Sequence, residues 1–172
     1  AHNRAGGNGG GLYLKSSTVT LDGATVEQNQ AALGGGLYIE SSSTTLMANN
    51  ILTNTASGRG GGLYLKFSPV TLDENLVASN SAAEEGGGLY LDTSAATLKD
   101  NTVSANQASL GGGLYLLNSG QASLSTNRVT NNSAQSGGGL YLESSSTTLT
   151  GNSVMTNTAT TGNGGGLYLK SS

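Results

Sequence analysis

The sequence predicts an all-β fold, a parallel β-helix (β-solenoid) of about 6.5 coils of 25–27 residues, with three short strands per coil. Three observations predict it. The string Gly-Gly-Gly-Leu-Tyr-Leu/Ile begins at Gly9, Gly34, Gly60, Gly86, Gly111, Gly137 and Gly164, in steps of 25, 26, 26, 25, 26 and 27 residues. Within each repeat the apolar residues alternate with a period of two, as Leu12 and Leu14 do around Tyr13 and Val19 and Leu21 do around Thr20. No stretch shows the i, i+3, i+4 apolar pattern of a helix.

Each repeat opens on its glycines. Seven triplets take 21 of the 28 glycines in the chain. They follow the variable loop, where the chain must turn and the backbones of successive coils approach, so positive φ and a missing Cβ suit the place. No Gly-Lys-Ser/Thr follows and no helix starts there, which argues against a phosphate-binding loop. Leu-Tyr-Leu/Ile forms the first strand, and a second strand ends on Leu21, Leu46, Leu72, Leu98, Leu124 or Leu149. A third carries Val26, Ile51, Val77, Val103, Val129 or Val154. Coils stack at the ~4.8 Å spacing of hydrogen-bonded strands, so these aliphatic residues form inward columns that no coil buries alone.

Three residues past the branched residue stands Asn29, Asn54, Asn80, Asn106, Asn132 or Asn157, followed two later by Ala. An amide stacked at strand spacing donates to the next, so this column is expected to form an asparagine ladder. Asn49, Asn75, Asn101, Asn127 and Asn152 form a second such column, broken in the first copy by Ala24. A short loop of 2 to 4 residues then leads to the next triplet, and most length variation falls there. The fifth copy carries an extra residue near Gly120, expected as a bulge.

The outward columns carry the functional candidates. Tyr13, Tyr38, Tyr64, Tyr90, Tyr115, Tyr141 and Tyr168 alternate with inward Leu and are expected to stack as an outward aromatic stripe, a candidate contact face for glycans or a neighbouring fibre. Two residues on, Lys15, Glu40, Lys66, Asp92, Leu117, Glu143 and Lys170 alternate in sign except at Leu117, a register device. The column Thr20, Thr45, Thr71, Thr97, Ser123, Thr148 lacks the matching neighbour that an ice-binding surface needs, because Asp22, Met47, Asp73 and Lys99 stand beside it.

Asp73, Glu74 and Asp100, with Lys99 beside them, form the best carboxylate cluster, and a retaining glycosidase would use two carboxylates at about 5 Å. The same cluster, or Glu84 and Glu85, is the candidate place for calcium. The only histidine is His2 and there is no cysteine. No catalytic, cofactor-binding or metal-ligating residue is therefore expected. Charged residues make up 10% of the chain and the net charge is −3, so there is no basic patch for nucleic acid. No apolar run reaches the ~18 residues of a membrane-spanning helix, and no direct membrane insertion is expected.

The order Val26-Glu27-Gln28-Asn29 then Gly34-Gly35-Gly36-Leu37 resembles the repeats of polymorphic outer-membrane proteins, which carry Phe-x-x-Asn followed by Gly-Gly-Ala-Ile. Val stands here for Phe, and Gly-Leu for Ala-Ile. The resemblance covers essentially the whole chain and implies right-handed coiling of the pectate-lyase-like type, on secreted or surface proteins that often act as adhesins.

Residues 1–172 are expected to form a single solenoid segment: 1–8 the tail of an incomplete coil, 9–163 six full coils, and 164–172 the start of another, uncapped at both ends. Missing caps predict a continuing solenoid or end-to-end stacking on itself, with lateral bundling. The functional expectation is a non-enzymatic structural segment of an extracellular or cell-surface fibre, stalk or sheath. The alternatives are an adhesin or glycan-binding module using the tyrosine face, and, behind it, a polysaccharide lyase or hydrolase.

Overall fold

The computed structural model describes residues 2–172, and the chain is a parallel β-solenoid without α-helix among them. The first sheet has seven strands, Leu12–Lys15, Leu37–Glu40, Leu63–Lys66, Leu89–Asp92, Leu114–Leu117, Leu140–Glu143 and Leu167–Lys170. The second has six, Thr18–Asp22, Ser43–Met47, Val70–Asp73, Thr97–Lys99, Ser123–Ser125 and Thr148–Thr150. The third has six, Thr25–Glu27, Asn50–Leu52, Leu76–Ala78, Thr102–Ser104, Arg128–Thr130 and Ser153–Met155. Every pairing is parallel, and each repeat position meets its own counterpart one coil on, as in Leu37↔Leu63 and Val77↔Val103. A fourth, two-residue strand follows in several coils, beginning with Gln30–Ala31, Thr55–Ala56 and Ser81–Ala82, and its Ala56 and Ala82 form a small buried stack with Ala108 of the next coil.

The aliphatic columns make one core. Leu37, Ile39, Leu46 and Ile51 of one coil, and Leu63, Leu65, Leu72 and Val77 of the next, are fully buried together. Each such side chain contributes roughly 1.5–3 kcal/mol on burial, and only because the neighbouring coils close the cylinder above and below it.

The corners have a repeated construction. Seventeen described residues other than glycine hold a positive φ, in three columns. Ser16, Ser41 and Phe67 begin the first, Ala48, Glu74 and Asp100 belong to the second, and Gln28, Thr53 and Ser79 begin the third. A left-handed conformation costs an L-residue about 1–2 kcal/mol. Each of these residues directly precedes a Ser or Asn, and in every case but Ser17 that side-chain oxygen accepts the backbone N–H of its counterpart, or of Ala24 at Asn49, in the preceding coil, which holds the corner in place. The extra residue of the fifth copy is not a strand bulge. It is absorbed in a turn at Gly120 and Gln121, closed by the Ala122 N–H donating to the Ser119 carbonyl at 2.9 Å, between the first and second strands.

The glycine triplet has two separate causes. Its first member turns the chain with φ of +60° at Gly34 and +66° at Gly86. Its second and third members sit where coils nearly touch: a Cβ on Gly61 would lie 2.4 Å from the Gly87 carbonyl oxygen and 2.6 Å from the Ser81 carbonyl carbon. Both are contacts between backbones, which leave no room for any side chain.

Candidate functional site

The Asn29 column is a continuous ladder. The Asn54 backbone N–H and Nδ2 both donate to Asn80 Oδ1, at 2.9 and 3.0 Å. Asn80 repeats this to Asn106 at 2.9 and 3.0 Å, and Asn106 to Asn132 at 2.9 and 3.0 Å. The second Nδ2 hydrogen goes back to a core-strand carbonyl, as from Asn80 to Ile51 at 2.9 Å. From Asn54 to Asn132 the amides therefore use both Nδ2 hydrogens as well as Oδ1, and Asn29 to Asn132 expose 3% or less of their surface. Asn3 joins at the lower end, donating to Asn29 Oδ1 at 2.8 Å.

The second column behaves alike. Asn49, Asn75 and Asn101 donate to Asn75, Asn101 and Asn127 at 2.9 to 3.0 Å. Ala24, which breaks the column, still donates its backbone N–H to Asn49 Oδ1 at 2.9 Å. A third ladder, of serine, accompanies these. The Ser17, Ser68 and Ser119 N–H groups donate to the hydroxyls of Ser42, Ser94 and Ser145 at 3.1, 3.2 and 2.9 Å. Each hydroxyl donates in turn to a carbonyl two residues back, as Ser68 does to Lys66 at 2.7 Å. The serine stands in every repeat, but serine is so usual in turns that its column reads as turn composition until the geometry is known.

The tyrosine column is placed differently from the expectation of an outward contact face. The rings do stack on the side of the first sheet away from the aliphatic core, with successive centroids 4.7 to 5.3 Å apart. Yet Tyr38, Tyr64, Tyr90, Tyr115 and Tyr141 expose only 1–6%. The chain entering each first strand passes over them: a Cβ on Gly86 would stand 2.8 Å from that of Tyr90. Leu33, Leu110 and Leu117 pack against the rings, and the Arg59 guanidinium lies 5.5 Å from the Tyr90 ring centre. Tyr13, at 46% exposure, stands in the open, and Tyr168 is partly buried. The column is thus a second, aromatic core. Burial first, and nearby carboxylates such as Glu40 second, raise the Tyr38 phenol to about 12. Burial likewise raises Tyr90 to about 12, against the lowering influence of Arg59, and pushes up Tyr64 and Tyr115 as well.

The alternating charge column meets the hydroxyl ends of these rings. Tyr13 donates to Glu40 at 3.1 Å, and Tyr115 donates to Glu143 one coil on. Lys15 pairs with Glu40 at 3.5 Å and Lys170 with Glu143 at 2.8 Å. The hydrogen bond from Lys170, then that from Tyr115, hold the Glu143 carboxyl below the usual carboxylate range.

Of the carboxylate cluster, Lys99 Nζ stands 3.6 Å from Asp73 and 2.9 Å from Asp100. The Thr126 hydroxyl also donates to Asp100, and these two bonds, Thr126 first, hold Asp100 below the carboxylate range. A general acid needs the opposite shift. Glu84 and Glu85 are bridged by Arg59 Nε, at 3.2 and 2.5 Å, a partner from the preceding loop that spacing alone does not reveal. Among the described residues no three His, Asp or Glu side chains gather as a metal site.

The architecture and its ladders define a repetitive parallel β-helix held by side-chain amides and hydroxyls as well as by its backbone. The family described as right handed beta helix region matches residues 1–158, and the chain belongs to it. No curated protein and no solved structure matches the chain.

Proposed function

We propose that this chain is a non-enzymatic structural segment of an extracellular or cell-surface β-helical fibre, stalk or sheath, able to continue or associate with itself along its axis. The observation that carries the reading is the coil-to-coil continuity of the Asn29, Asn49 and Ser42 ladders beside three unbroken sheets. Such a rod resists bending and local opening because each coil is bonded to the next on every side. The uniform short loops support the reading, since they build no deep cleft. Asp100 paired with Lys99 supports a role without catalysis. The likeness of Val26–Asn29 and Gly34–Leu37 to polymorphic outer-membrane protein repeats supports a secreted or surface location.

The test is electron microscopy of the native material together with the mass of the intact polypeptide. Thin filaments of many more than seven coils, in one chain or by stacking, are the expected result. A discrete particle of about 17 kDa that stays monomeric overturns it.

A further inference from the structure

With Tyr38 to Tyr141 covered, the exposed aromatic rings are Tyr13 in the first coil and Phe67. Phe67, the only phenylalanine of the chain, is 52% exposed. It occupies the corner that Ser16, Ser41 and Ser144 hold in other coils, and it does so at a φ of 49°. A bulky ring in the left-handed region is a true outlier, and this one gains no burial in return. Two residues on is Pro69, the only proline. At the same position one coil earlier, Ser43 donates its N–H to the Ser17 carbonyl at 3.1 Å, a bond that Pro69 has no hydrogen to repeat. The second-sheet strand accordingly begins at Val70, whereas its neighbour begins at Ser43, the residue in register with Pro69.

These departures fall together. Phe67 and Pro69 form one wall of a shallow surface hollow, and Ser16, Thr18, Ser41 and Ser43 line the rest. Those four are exposed, and their hydroxyls are free of the ladder that occupies Ser17 and Ser42. The Lys66 ammonium lies 5.4 Å from the Phe67 ring centre. In the first sheet Lys15, Glu40, Lys66 and Asp92 follow one another in register, and Lys15 pairs with Glu40 at 3.5 Å, so the charges beside the hollow balance.

We propose that this hollow is a binding site for neutral pyranose glycans. An apolar ring face receives the axial C–H face of a sugar, hydroxyls on either side exchange hydrogen bonds with its rim, and one ammonium adds a donor. The balanced column Lys15, Glu40, Lys66 and Asp92 gives a uronate no net attraction over a neutral sugar. The site is independent of the fibre reading above and needs no second copy.

The test is affinity electrophoresis of the full chain through gels containing soluble β-glucan, xylan, galactomannan or polygalacturonate. It is read beside a chain labelled with fluorophenylalanine, whose one fluorine resonance reports on Phe67 alone. Retardation by at least one neutral polysaccharide is expected, with a saturable fluorine shift on adding the matching oligosaccharide. Phe67→Ser installs the residue found at this corner in other coils and so retains the fold. It should weaken retardation about tenfold, and Ser41→Ala with Ser43→Ala should weaken it further. Retardation by none of the four, retardation unchanged by Phe67→Ser, or preference for polygalacturonate overturns the proposal.

Discussion

Replacing Asn80 by alanine removes one rung from the middle of the main ladder. Asn80 Oδ1 accepts from the Asn54 backbone N–H and from Asn54 Nδ2, and Asn80 Nδ2 donates to the Ile51 carbonyl. Alanine leaves the Asn54 backbone N–H and one Asn54 Nδ2 hydrogen without a partner, and takes from the Ile51 carbonyl its side-chain donor, in a place that is 1% exposed or less. Asn106 Oδ1 still receives the residue-80 backbone N–H and loses only one of its two donors. Each buried polar group left unpaired costs about 1–3 kcal/mol, so the substitution is expected to destabilise by ~3–5 kcal/mol. For a chain of this length that lowers the melting midpoint by roughly 10 °C. Circular dichroism on heating and guanidinium titration measure it, and hydrogen exchange should show the Asn54 amide losing protection first. A loss below about 1 kcal/mol, with that amide still protected, would refute the view that the ladder holds the coils together. Ala24 supplies a natural comparison: its column tolerates alanine where that position is only partly buried.

Gly61→Ala drives a Cβ into two backbones and should abolish the folded state, whereas Gly23→Ala meets open space at a φ of 61° and should cost only ~1 kcal/mol, as chemical denaturation will show. Thr44 buries its Oγ1 without a partner between Val19 and Val70, so Thr44→Val should stabilise by about 1 kcal/mol in the same assay. The buried phenols give a pH limit. Their folded values lie above the unfolded value near 10, so their contribution is complete below pH ~10 and is lost as pH rises through about 12 for Tyr38 and Tyr90. Absorbance titration should show delayed tyrosine ionisation in the native chain and unfolding as the rings ionise. Ionisation of all seven tyrosines near 10 would contradict their burial.

The inward columns and both asparagine ladders were legible because a parallel solenoid sets each residue beside its own repeat, so a column of one residue type is already a spatial contact. The tyrosines show where that logic stops. A period of two says which side of a strand a ring takes, and the rings do lie opposite Leu37 and Ile39. It says nothing of what the chain does next. The loop carrying Leu33, Arg59 or Leu110 has no periodicity of its own, and its path over the rings follows from one left-handed glycine and the backbone contact beyond it. The pairing of Arg59 with Glu84 and Glu85 was hidden for the same reason, since loop residues of unlike type meet without forming a column.

The ladders also have a direction. From Asn29 to Asn132 each residue gives its backbone N–H and one Nδ2 hydrogen to the Oδ1 of the next coil, while its own Oδ1 accepts from the coil before; only the second Nδ2 hydrogen runs back, to a strand carbonyl. At each ladder corner one side of a coil therefore shows the side-chain oxygen that accepts and the other side the N–H groups that donate to the next such oxygen, and these small dipoles add instead of cancelling. Two such surfaces match only when a donor side meets an acceptor side. Brought together like against like, they set oxygen against oxygen or hydrogen against hydrogen at three corners at once. Any axial joining of these coils is thereby restricted to one polarity, and a rod made this way has distinguishable ends.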